Sequence, residues 1–134
     1  MTPLWAKAVE ASDDARFLFS GQRYNAACNR AYYAMFNAAR ALLLRQGIAP
    51  DKAKRHATVL RLFSMHFVKD GPFDKEDGRA LGEAEQVRGQ ADYSSSETEI
   101  EAEDDVMKAL DRFMAKAEQV MKGAGDPAEE RDNG

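Results

Sequence analysis

The apolar residues of this chain return at the spacing of an α-helix, segment after segment, which leaves room for little besides helices packed on helices. The longest segment runs from about Arg23 to Gln46, stops at Gly47 and has Pro50 beyond it. Its stripe is Tyr24, Ala27, Cys28, Ala31, Met35, Ala38 and Leu42, and the small residues in it let a neighbouring helix approach closely. A first helix is predicted over about Thr2 to Ser20, with Pro3 tolerated in its first turn. There Leu4, Ala8, Ala11, Ala15 and Leu18 recur, and Gly21 punctuates. A short third helix, about His56 to Val68, lies between the loop GIAPDKAK and the turn KDGPFD, with Val59, Leu60, Phe63 and Phe67 as its apolar positions. A fourth spans about Asp74 to Ala91, with Ala80, Leu81, Ala84, Val87 and Ala91.

The fifth helix is the best marked. Ser96 followed by Glu99 fits a capping box, and Glu97, Glu99, Glu101, Glu103, Asp104 and Asp105 load the end that the helix dipole makes favourable for anions. Its buried stripe is Ile100, Val106, Met107, Leu110, Phe113, Met114, Ala117, Val120 and Met121, and Gly123 ends it. There is no Gly-rich phosphate loop and no internal repeat. The expected fold is all-α: an antiparallel, up-and-down bundle of four to five helices over residues 1–122. The polar tail at 123–134, GAGDPAEERDNG, is expected to be disordered.

At 134 residues the chain is the size of one domain, and 44% hydrophobic with 31% charged residues excludes a collagen-like or wholly disordered polymer. The single cysteine, Cys28, sits on the apolar stripe and excludes an internal disulfide or a Cys-based zinc site. The longest apolar stretch, near Ala38–Leu44, is interrupted by Arg40, and the start MTPLWAKAVEASDD lacks a basic run followed by an apolar block. The expectation is a cytoplasmic protein with no membrane association. Net charge is −4, divided unevenly: residues 1–70 carry eleven Lys and Arg against five Asp and Glu, +6, and the rest carry eight against eighteen, −10. A basic half can attract nucleic acid or an acidic partner; equally, the halves can neutralise each other across the bundle or between subunits.

Two segments break their own patterns. On the second helix, Arg30, Tyr33, Asn37 and Arg40 lie roughly opposite the apolar stripe, with Leu44 alongside, where a solvated face would carry Glu, Lys and Gln. Arg and Tyr are favoured at interfaces and in nucleotide contacts, although an Arg stacked on a Tyr also serves a second layer of a bundle. On the fourth helix, Arg88 points along the apolar stripe, and Asp92 one turn later can pair with it. Such a pair either fixes bundle geometry or holds a guanidinium for a ligand, and Gly89 loosens the helix beside it. His56 follows Lys52, Lys54 and Arg55, a basic cluster that could meet phosphate; otherwise it is a helix-start histidine in a solvated loop. His66 reads as a boundary residue. No His, Asp or Glu stands at metal-ligand spacing from either histidine, so neither a metal nor a cofactor is expected. Ser94, Ser95 and Ser96 read as loop and cap residues. Trp5 and Phe17 cover either the core or a dimer seam.

The run YNAACNRAYYAMFNAARALLLRQG, then KRHATVLRLF, the FVKDGPF turn and RGQADY together resemble the HEPN domain (higher eukaryotes and prokaryotes nucleotide-binding), in its small stand-alone bacterial and archaeal branch. The resemblance covers about residues 4–120, in order. It implies a helical bundle, usually a homodimer, with polar motif residues beside the dimer cleft. Many HEPN proteins are metal-independent ribonucleases, others bind RNA or nucleotides without cutting, and many are paired with a nucleotidyltransferase as toxin and antitoxin. Arg30, Tyr33 and Asn37 match the RAYYAMFNA motif; Arg88, Asp92 and Tyr93 match R..ADY. The nuclease pattern of the family places a histidine shortly after the arginine, and here those positions are Tyr93, Ser94 and Ser95. Arg61 and His66 satisfy the bare spacing, but five residues of helix set them about 140° apart and the intervening LFSM is core-like. Without the histidine the usual acid–base group is missing, and Tyr93, with an ordinary pKa near ~10, is a poor base. It remains a donor, or the acceptor of a modification by a nucleotidyltransferase. The resemblance therefore implies an RNA- or nucleotide-binding, toxin-like half of such a pair, with Arg88, Asp92 and Tyr93 lining a cleft with Arg30, Tyr33 and Asn37. The alternatives are a ribonuclease using Arg88, with Tyr93 or His56 as proton donor, and a non-catalytic helical interaction module.

Overall fold

A computed structural model describes residues 3–48, 56–69, 71–93 and 100–122, with the backbone alone at 85–93 and 100–103. The described residues form five helices and no strand: α1 (Pro3–Ser20), α2 (Tyr24–Arg45), α3 (His56–Phe63), α4 (Lys75–Tyr93) and α5 (Ile100–Lys122). The helical reading of the sequence thus holds over the described residues, except at the end of the third helix. The Ser96 cap, the basic cluster at 52–55 and the tail at 123–134 lie outside the described residues.

The second helix is the axis of the bundle. It touches α1, α3, α4 and α5. Burial extends well beyond the predicted stripe to Tyr32, Ala34, Phe36, Ala39, Ala41 and Leu43, because neighbours cover it on most sides. Its alanines let those neighbours approach closely, and Cys28 is fully buried among them. Val106, Met107, Leu110, Phe113, Met114 and Ala117 of α5 complete the core, as their stripe predicts.

The turns explain how so short a chain reverses so often. Between α1 and α2, the amides of Gln22 and Arg23 reach back to the carbonyls of Phe19 and Leu18, at 3.0 and 2.8 Å. This is a Schellman motif. The left-handed residue is Gln22, at φ 63°, so Gly21 is not the residue that needs conformational freedom. After α2 the same motif recurs with Gly47 at φ 85° and the Ile48 amide on the Leu43 carbonyl at 3.1 Å.

The third helix does not continue as α-helix to Val68. It widens to a π-helical turn over Ser64–Lys69. Phe63 and Phe67 stack there with centroids 5.6 Å apart, and Phe73 meets Phe63 edge-on at 5.0 Å, with Phe113 of α5 closing the cluster. The intervening turn brings Gly71 against the Phe67 backbone so closely that a Cβ would lie 2.5 Å from Phe67 Cα. At the start of α4, a carboxylate oxygen of Asp77 accepts the Asp74 amide (2.9 Å) and the ammonium of Lys116 on α5 (2.8 Å). Arg45 donates to the carbonyl of Met121, capping the end of α5. Arg16 of the basic half meets Asp111 of the acidic half at 2.9 Å, an instance of the neutralisation across the bundle.

Candidate functional site: a cationic and aromatic groove along the second helix

Arg30, Tyr33 and Asn37 fall at i, i+3 and i+7 on α2 and so project from one face. Among the described residues, that face lies between α1 and α3. Arg30 is exposed, Tyr33 and Asn37 half-buried. The Arg30 guanidinium lies 5.6 Å from the Tyr33 ring centroid, within cation–π range.

On the α1 side, Lys7, Glu10, Ala11 and Asp14 join Arg30, Tyr33 and Asn37 around a cleft of about 220 Å³. Helices joined by a tight turn run antiparallel, so residues equally far from the turn stand level. Asp14 is therefore level with Arg30, and Lys7 with Asn37. The α1 residues were missed in the sequence, although Lys7, Glu10 and Asp14 repeat the i, i+3, i+7 spacing of the α2 triplet. Nothing local says which polar face of an amphipathic helix borders a cleft.

On the α3 side stands His56. It is not in a solvated loop: it is half-buried, and its Nδ1 lies 2.7 Å from the hydroxyl of Tyr32. Tyr32 is fully buried, and a buried hydroxyl needs a hydrogen-bond partner. The imidazole packs 4.3 Å from Phe36 and meets Tyr33 edge-on at 6.2 Å. Arg40 lies over the same Phe36 ring, 5.8 Å from its centroid, and its buried Nε has no hydrogen-bond partner among the described residues. The result is one continuous strip: Arg30, Tyr33, His56, Phe36, Arg40. Two readings of Arg30 and Tyr33 thereby converge, since the Arg does stack on the Tyr, and it does so at the edge of a cleft.

Arg88, Asp92 and Tyr93 belong to the last turns of α4, which runs through Gly89 and past the predicted end at Ala91 to Tyr93. Their side chains, with those of Val87 and Ala91, lie outside the described residues. Phe17 is 77% exposed, so it does not cover the core; Trp5 does. His66 is exposed on the π-helical turn. Among the described residues no group of His, Cys, Asp or Glu could hold a metal ion, and no helix is long and apolar enough to cross a membrane.

The chain is similar to several curated proteins. "Putative toxin MJ0605" of Methanocaldococcus jannaschii is 35% identical over 116 residues, 86% of this chain and 84% of that one. A UPF0332 protein of Thermotoga maritima is 34% identical over 87% of this chain and 86% of its own. "Putative toxin MJ0142", also of M. jannaschii, is 37% identical over 67% of this chain and 57% of that protein. The model of the HEPN domain matches residues 1–123, and with all five helices in place the chain belongs to the HEPN domain family.

Proposed function

We propose that this protein is the toxin-like, RNA- or nucleotide-binding half of a pair completed by a nucleotidyltransferase-type antitoxin, acting as a homodimer. The observation that carries the reading is the strip on α2, in which Arg30 stacks on Tyr33 beside His56 at the edge of an open cleft. Arginine supplies charge to phosphate, and an aromatic face supplies a stacking platform that tolerates any base. The names of two relatives as toxins support the toxin-like part. In this reading Arg88, Asp92 and Tyr93 of α4 join Arg30, Tyr33, Asn37 and His56 at a dimer cleft, with Tyr93 available for modification by the partner. Fluorescence anisotropy with a labelled single-stranded RNA tests the groove. Binding should weaken at least tenfold in Arg30→Ala and grow steeply salt-dependent in the parent protein. Unchanged binding in Arg30→Ala refutes the groove and leaves a helical interaction module. In cells, growth arrest that needs Arg88 and is relieved by the co-expressed nucleotidyltransferase tests the pairing.

A second reading, a metal-independent endoribonuclease, is favoured by one observation. Tyr32 holds the His56 ring beside Tyr33, where an imidazole can replace the missing acid–base group. RNA cleavage in the presence of chelator, abolished in His56→Gln, would establish it; no cleavage by the parent protein refutes it.

A further inference from the structure

The cleft between α1 and α2 has a lining that phosphate binding does not explain. Two of its residues are carboxylates, Glu10 and Asp14, and two are cations, Lys7 and Arg30. Carboxylates beside a phosphate cost affinity, yet both stand in the cleft. They do not serve as partners for its cations either: among the described residues the neighbouring ion pairs are Arg16 with Asp13 and Asp111, and none joins Glu10 or Asp14 to Lys7 or Arg30. The cleft thus offers acceptors and donors separately, beside Tyr33 and the guanidinium over its ring. At about 220 Å³ it is smaller than the roughly 300–1,000 Å³ of pockets for drug-sized ligands, and it suits one planar ring system.

We infer that this cleft is a base-selective subsite for guanine. The inference rests on the nucleotide-binding reading above and deepens it. Guanine alone among the four RNA bases carries two adjacent donors, N1–H and N2–H₂, which a carboxylate of Asp14 or Glu10 can accept together. Its O6 and N7 form the paired acceptors that an arginine fork such as Arg30 matches. The base ring takes the place of the Arg30 guanidinium on Tyr33, Arg30 turns to the base edge, and the remaining cation, Lys7, is left for phosphate. Every other base turns a ring nitrogen or carbonyl lone pair toward the carboxylates. Adenine flanks its amino group with the acceptors N1 and N7, cytosine sets N3 beside its own, and uracil flanks its single N–H with two carbonyls. The carboxylates therefore reject as well as select.

Competition binding against a labelled RNA tests this with two sets of competitors. One is the four nucleoside monophosphates; the other is a pair of short oligoadenylates, one carrying a single internal guanosine. Guanine should win over adenine by about five- to tenfold, the lower range for one bidentate base contact at an exposed site. Asp14→Asn and Glu10→Gln, checked for unchanged helicity and unfolding temperature, should pull that ratio toward one. A preference in both sets assigns the subsite to free nucleotide and RNA alike, and a preference in the oligonucleotides alone assigns it to RNA. Equal binding of all four bases, or a preference that neither variant alters, overturns guanine selection while leaving the groove as a general nucleotide site. Failure of every competitor and of the labelled RNA to bind would instead remove the binding reading on which the inference stands.

Discussion

Replacing Lys116 by methionine should cost about 2 kcal/mol of stability at neutral pH. The Lys116 ammonium lies 2.8 Å from a carboxylate oxygen of Asp77 and 3.3 Å from one of Asp74, joining α5 to the start of α4. The Asp77 side chain is only 6% exposed, and that of Lys116 is 29% exposed. Removing the cation leaves a buried carboxylate held by the Asp74 amide. Breaking a fully buried pair costs about 3–5 kcal/mol and an exposed pair contributes about 0–1, so a pair buried on one side falls between. Methionine keeps the apolar stem near Phe73, whose ring centroid is 5.8 Å from Nζ, so the loss reports the charge. For a chain of this size the loss corresponds to a fall in Tm of about 6–10 °C.

The pair also predicts an alkaline signature. The hydrogen bond to Asp77 raises the Lys116 pKa above 10.5; burial opposes this, and Asp74 and the charge on Asp77 add to it. A lysine whose folded pKa exceeds its unfolded value contributes fully below the unfolded pKa. The contribution is lost as pH rises through the folded one. Parent protein and Lys116→Met should therefore converge in stability above about pH 10.5. Thermal unfolding followed by circular dichroism, at neutral and strongly alkaline pH, measures both effects. A variant as stable as the parent at neutral pH, or a gap undiminished in alkali, would refute the reasoning and mark the pair as no better than an apolar contact.

Three further outcomes follow from the turns and the groove. Gln22→Gly should stabilise the protein by about 0.5–1 kcal/mol in chemical denaturation, because Gln22 occupies the left-handed region at φ 63°; a loss of stability would contradict the assigned turn. Gly71→Ala should destabilise by about 2 kcal/mol or more, since backbone atoms of Phe67 block the added Cβ and the Phe73 amide is tied to the Phe67 carbonyl at 2.9 Å; the same denaturation measurement checks it. Tyr32→Phe should cost about 1 kcal/mol and alter the NMR shifts of His56, by removing the hydroxyl on Nδ1. Unaltered His56 resonances would mean that the tyrosine does not hold the ring.

Helix limits were legible because they are local. Pro3, Gly47 and the periodic apolar residues act within a turn or two of themselves, and the predicted ends of α1 and α2 agree with the structure to one residue. Gly21 shows the limit of such reading. A glycine next to a helix end invites assignment as the left-handed residue, but the hydrogen bonds to Phe19 and Leu18 place that conformation at Gln22. The π-helical turn carries no local signal either, since SMHFVK has ordinary helical residues; it accompanies the packing of Phe63, Phe67 and Phe73 against Phe113 of another helix.

The candidate site divides in the same way. Arg30, Tyr33 and Asn37 were visible as an odd face on a helix, and the resemblance of RAYYAMFNA to the HEPN domain rests on those same residues. Arg88, Asp92 and Tyr93 were singled out on like grounds. Position along one helix, and therefore which residues share a face, follows from a fixed angle per residue, and this the sequence determined by itself. Which faces are covered, and by what, depends on how whole helices dock. Only the tertiary structure could wrap α2 on most of its sides, bring Glu10 and Asp14 of α1 to the level of Tyr33 and Arg30, and seat His56 of α3 on Tyr32 and Phe36. Those contacts join residues far apart in the chain, and the burial that fixes them is shared over the whole core, so no short segment encodes them.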